Sequence, residues 1–116
     1  RSRPMTTRHI HATVTDLLAR LPGPAGERWV SALERGSRTI ELYAPRGEDP
    51  QRPHTRDEVY VVVRGRGQFR CGDAHHPICP GDVLFVPAGA AHRFEDFTDD
   101  LAVWGIFFGP EGGEPA

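Results

Sequence analysis

Two stretches of this 116-residue chain, 47–67 and 81–96, concentrate the residue types that do chemistry. The first contains Gln51, Arg52, Pro53, His54, Asp57, Glu58 and Tyr60. Side chains of an extended strand alternate between its faces, so His54, Glu58, Tyr60 and Val62 can look into one interior. A neutral imidazole and a carboxylate that converge there are good ligands for zinc, nickel, iron or manganese. In the second stretch, Gly81-Asp82 turns into the apolar run 83–86, residues 87–89 turn out of it, and His92 opens a new strand beside Phe94. A histidine in that position can point inward. If the two stretches pair in one barrel, His54, Glu58 and His92 form a set that leaves coordination positions open, as catalytic metal sites do.

The elements that must position these residues are short. Val14, Leu17, Leu18 and Leu21 follow the spacing of one helical face, with Thr13 placed to cap it and Pro22-Gly23 to stop it. Residues 22–26 read as a linker. From Arg28 onward the pattern is strands separated by Gly, Pro and Asp, which is how an all-β sandwich or barrel reads. Residues 29–34 and 38–44 flank a turn at 35–37 and form a hairpin, and 59–63, 68–71, 83–86, 92–94 and 101–108 supply further strands. About eight strands and one helix fit a small closed barrel or jelly roll. Strands 59–63 and 101–108 are apolar on both faces, so their outer side requires a cover. Either a homodimer or the helix laid across the sheet would provide it, and the dimer is the expectation.

Bulk properties exclude several classes. The 14 basic and 16 acidic residues give a net charge of -2 without a basic stripe, so nucleic acid is not an expected partner. No apolar run approaches the ~20 residues of a membrane span. Arg1 to Thr7 lacks the apolar stretch of a secretory signal, and the four residues before Met5 read as an expression remnant, so a cytoplasmic protein is expected. Cys71 and Cys79 do not form a CxxC pair and read as two reduced thiols, although their places around a hairpin turn leave a cross-strand bridge as the alternative. The expected division is an N-terminal arm with a short helix at 1–27, a barrel at 28–108 and a flexible tail at 109–116.

The spacing of the two chemical stretches resembles the cupin superfamily. Its first motif runs G, five residues, H-x-H, three or four residues, E, six residues, G; its second runs G, five residues, P-x-G, two residues, H, three residues, N. His54, Glu58 and Gly65 fit the latter part of the first, and Gly81, Pro87, Gly89 and His92 fit the second without a gap. The resemblance covers about 29–108. It implies an all-β double-stranded β-helix (jelly-roll) barrel with one short N-terminal helix, and one divalent transition metal ion (zinc, nickel, iron or manganese) inside, bound by His54, Glu58 and His92.

There are two departures. Arg52 stands where the first histidine of H-x-H belongs, and a guanidinium has no lone pair to give a metal. Asp96 replaces the final asparagine, at a position expected to shape a loop. Gln51 becomes a candidate fourth ligand if Pro53 introduces a bulge, since strict alternation would turn it away from His54. Arg52 either holds a ligand's carboxylate or phosphate at the barrel mouth or is simply solvated. Tyr60 and Phe94 are expected to line or fill the barrel, Trp104 to be core, and His75-His76 to sit on the surface in a turn. His9 and His11 could line an N-terminal strand face. By analogy the protein is a metal-dependent cupin enzyme (dioxygenase, isomerase or decarboxylase) acting on a small organic molecule; the alternatives are a non-enzymatic small-ligand binding module or a metal-free dimeric barrel.

Overall fold

Runs of β-branched and aromatic residues interrupted by glycine and proline favour antiparallel hairpins, and the chain folds accordingly. The computed structural model describes residues 9–115; residues 1–8, including the stretch before Met5, and residue 116 lie outside the described residues. Its elements are helix α1 Val14–Leu18 and strands β1 Trp29–Arg35, β2 Arg38–Tyr43, β3 Asp57–Arg64, β4 Gly67–Cys71, β5 Ala74–Ile78, β6 Val83–Val86, β7 His92–Glu95 and β8 Ala102–Phe108. Two antiparallel sheets result, one ordered β1-β2-β8-β3-β6 and the other β5-β4-β7. The fold is therefore all-β with one short helix.

The two doubly apolar strands, β3 and β8, lie adjacent in the middle of the larger sheet, with Glu58 opposite Phe107 and Tyr60 opposite Gly105. Their inner face packs a core containing Tyr60, Val62 and Val103 against Phe69 of β4 and Phe94 of β7. On the outer face, Leu42, Ala44, Ala102, Val63 and Trp104 pack against Leu17, Val14, Leu18 and Leu21 of the N-terminal segment. The helix, the alternative to the expected dimer, thus covers part of that face. It begins as expected, with Thr13 Oγ1 accepting the Asp16 N–H at 3.1 Å. The outer face is left open at the β6 edge, where Val83 and Phe85 are 66% and 55% exposed.

Several local expectations change. Residues 74–78 form strand β5 rather than a turn, so His75 and His76 are exposed on a strand. Pro77 hid that strand from a sequence reading; it is tolerated because β5 is an edge. The turn is Gly72-Asp73, which places Cys71 opposite Ala74 and Cys79 beyond the far end of the hairpin. Both thiols are free, and the bridge has no geometric basis. His9 and His11 are exposed and in no strand. The segment after β8 folds back on the barrel: Gly112 N–H donates to the Thr55 carbonyl at 2.7 Å and Glu114 N–H to Asp57 Oδ2 at 2.9 Å. No helix among the described residues is long and apolar enough to cross a membrane.

Candidate metal centre

Glu58 and Tyr60 reach the barrel interior by strand parity, as expected. His54 does not, because β3 starts only at Asp57 and residues 50–56 form a loop. That loop is pinned: the Gly89 N–H donates to the His54 carbonyl at 2.7 Å and the Ala88 N–H to Asp57 Oδ1 at 2.9 Å. Gly89 has φ +82°, a left-handed conformation that suits glycine, so the turn after β6 fixes the loop carrying one histidine just before β7 presents the other. His92 is the first residue of β7.

The three side chains converge, with ligand atoms of His54, Glu58 and His92 all within 4.8 Å of one another. His54 Nε2 lies 3.4 Å and His92 Nε2 3.8 Å from Glu58 Oε1. The His92 Nδ1–H donates to the Ala90 carbonyl at 2.9 Å, which leaves the Nε2 lone pair facing the centre. Glu58 is 1% exposed, and neither carboxylate oxygen has a hydrogen-bond partner among the described residues. The single proton of the nearby Tyr60 hydroxyl goes instead to Gln51 Oε1 at 2.7 Å. Burial pushes the Glu58 carboxyl up to about 8, reinforced by the Glu41 and Asp49 carboxylates. Burial, with His92 alongside, holds His54 below the usual imidazole range, so its imidazole is presented as a lone-pair donor. Two orphaned carboxylate oxygens beside two imidazoles are a donor set that fits a divalent ion, since a buried carboxylate needs a proton or a cation.

A cavity of about 460 Å³ opens onto this centre. Trp29, Tyr43 and Phe107 supply apolar wall, while Glu41, Arg52 and Gln51 supply polar groups. Arg52 is exposed at its mouth. Phe94 is fully buried against Tyr60 and Phe69, at 5.1 and 4.9 Å between ring centroids, so it supports the site from beneath and does not line this cavity. The sequence reading missed two carboxylates. Glu41 faces inward from β2 opposite Gly105, and burial raises its carboxyl to about 7. Asp49 is buried in the loop before the site and accepts the Tyr43 hydroxyl at 2.5 Å and the Phe94 N–H at 2.8 Å. The alternation of Ile40 and Leu42 with Glu41 and Tyr43 signalled the first, once the apolar face of β2 is known to lie outward beneath the helix. Asp96, in place of the motif's asparagine, has φ +48°, a conformation that Asn and Asp tolerate, and it shapes a loop as expected.

An antiparallel double sheet with a histidine and glutamate centre in its interior defines a barrel of the cupin type. Residues 39–107 match the family model described as "Cupin domain", and the chain belongs to the cupin family. An uncharacterized protein of Streptomyces coelicolor, SCO3923, is 38% identical over 85 residues, covering 72% of this chain and 81% of that protein. The HTH-type transcriptional activator RhaR of Mannheimia succiniciproducens is 31% identical over 62 residues, 53% of this chain but only 22% of the regulator. Among solved structures, a cupin-2 domain protein from Shewanella frigidimarina has a TM-score of 0.65 at 19% identity, covering 82% of this chain and 91% of that one. A chain from the DMSP lyases RdDddP and RnDddQII has a TM-score of 0.63 at 24% identity, covering 72% of this chain, which spans about half (47%) of the lyase chain.

Proposed function

We propose that this protein is a mononuclear metal cupin that holds one divalent transition ion through His54, Glu58 and His92 and acts on a small organic molecule in the adjoining cavity. The observation that carries the reading is Glu58, whose two buried oxygens lack any hydrogen-bond partner and face two imidazoles. Two histidines with one carboxylate and open positions is the ligand pattern of non-haem iron oxygenases, and zinc, nickel and manganese also accept these donors. When bound, the ion supplies Lewis acidity and open coordination positions. The chain's own residues do the rest. Arg52 at the mouth is placed to hold a carboxylate or phosphate bidentately. Trp29, Tyr43 and Phe107 exclude water from an organic group, and Glu41 accepts hydrogen bonds from its hydroxyl or amino substituents.

Elemental analysis by inductively coupled plasma mass spectrometry, on protein purified without chelator or nickel resin, tests the metal. Near one equivalent is expected in the wild type and none in the His54→Ala/His92→Ala double variant with its circular dichroism unchanged. Metal retained by the double variant would sink the assigned site.

A second reading, a sensory barrel that binds a small ligand without turnover, is favoured by the likeness to RhaR. A small ligand that raises the melting temperature of the wild type and of the double variant equally would select it, because such binding owes nothing to the metal. In either case we propose that a second copy of the chain covers the open β6 edge of the outer face.

A further inference from the structure

Arg52 occupies the position where the family motif places an imidazole, and it cannot ligate a metal. One residue earlier, Gln51 sends its Oε1 to within 3.2 Å of His54 Nε2 and 3.1 Å of His92 Nε2. This orientation is imposed. The Gln51 side-chain Nε2–H donates to Asp49 Oδ2 at 2.5 Å, and its backbone N–H donates to Asp49 Oδ1 at 3.2 Å. Asp49 is itself held by the Tyr43 hydroxyl and the Phe94 N–H. Rotating the amide by half a turn would set its oxygen against the Asp49 carboxylate, so Oε1 has to face the two histidines.

The consequence is a shortage of protons. The His92 Nδ1–H is spent on the Ala90 carbonyl, so Nε2 meets Gln51 Oε1 lone pair to lone pair at 3.1 Å. The Tyr60 hydroxyl can donate to one of them and donates to Oε1 at 2.7 Å. Together with the orphaned Glu58 oxygens this is a cluster rich in acceptors, whose shortage of donors an added proton or a cation resolves, and a cation engages all of the converging atoms at once. The spacing also fits: ligand bonds of about 2.1 Å at right-angled to tetrahedral angles set neighbouring ligand atoms roughly 3.0–3.4 Å apart.

Building on the metal centre proposed above, the geometry points to Gln51 Oε1 as the fourth protein ligand and to Asp49 as the residue that positions it. A neutral amide oxygen replaces the imidazole, leaving Arg52 free for the cavity mouth. An oxygen donor in place of nitrogen favours harder ions, so manganese and iron gain relative to zinc and nickel.

The test uses the 116-residue chain labelled with 15N at the glutamine side chains, stripped of metal and titrated with zinc. The chain has glutamine only at 51 and 68, so two side-chain amide signals are expected, and Gln51→Ala identifies one by its loss. One equivalent of zinc should shift the Gln51 signal and leave that of Gln68 in place. Gln51→Ala should keep its fold and lose at least tenfold in zinc affinity. Asp49→Asn should lose about as much, and the double variant Asp49→Asn/Gln51→Ala no more than Gln51→Ala alone. A wild type that binds zinc with the Gln51 signal unmoved and with affinity equal to that of Gln51→Ala overturns this assignment alone. Additive losses in the double variant overturn the positioning role of Asp49. Failure of the wild type to take up zinc, iron or manganese overturns the metal centre and this ligand with it. Should Asp49→Asn not fold, the labelled wild type and Gln51→Ala still decide the ligand.

Discussion

At the scale of single residues, the site depends on what is absent as much as on what is present. Gly105 is the clearest case: a Cβ there would stand 2.8 Å from Glu58 Oε2 and 3.5 Å from Glu41 Cγ. The obstructed atom is the tip of a side chain, so Gly105→Ala should move the Glu58 carboxylate while the backbone stays in place. The expected result is weaker metal uptake by elemental analysis, with a stability change of about 1 kcal/mol or less by chemical denaturation. Glu41 makes a separate prediction about pH. Its carboxyl titrates near 4.5 when unperturbed and near 7 in the fold, where burial disfavours the charge. The folded state therefore binds more protons between these values, and the metal-free protein loses stability as pH rises from about 4.5 through about 7. Glu41→Gln removes that loss. It should stabilise the metal-free protein by roughly 1–3 kcal/mol at pH 8 and change it little at pH 4.5, as measured by urea denaturation at the two pH values. Equal effects at both would rule out the titration as the cause.

At the scale of elements, strand parity correctly turned Glu58, Tyr60 and Val62 inward, because β3 is regular across them. It failed as a reason for His54, and it would have turned Gln51 away; both sit in a loop whose shape is set by contacts with Asp49, Asp57 and the turn at Gly89. Strand β5 escaped notice because Ala-His-His-Pro-Ile lacks the β-branched run that marks a strand. Its pairing is dictated by the hairpin turn at Gly72-Asp73 and by its neighbour β4. Helix α1 has only five residues and cannot stand alone, so its packing must hold it. Leu17, its one fully buried side chain, is the anchor. Leu17→Ala should cost about 2–4 kcal/mol, read as a lower melting temperature, while metal stoichiometry stays at the wild-type value because the helix lies on the far side of the sheet from the site.

At the scale of the whole molecule, the helix covers the β1-β2-β8 side of the outer face and leaves the β3-β6 side open. Val59 faces outward opposite Phe85, and Val61 opposite Val83, forming an apolar strip at a sheet edge. A second copy can cover it by a symmetric contact, strip against strip. Size-exclusion chromatography with light scattering should therefore give twice the chain mass of 12.9 kDa for the wild type. Phe85→Asp should give the single-chain mass. A wild type of single-chain mass at working concentration would eliminate the second copy as the cover.

The sequence alone determined the class of fold and the inward turn of Glu58, through alternation and turn residues, and the grouping of His54, Glu58 and His92, through motif spacing, because these are local properties that survive without coordinates. The tertiary structure decided the remainder: that the N-terminal helix covers one side of the sheet, that Glu41 faces the cavity, and that Gln51 turns its oxygen to the centre. These outcomes depend on partners far apart in the chain, such as Asp49 with Phe94 and Gln51 with His92, whose meeting is set by the packing of the two sheets.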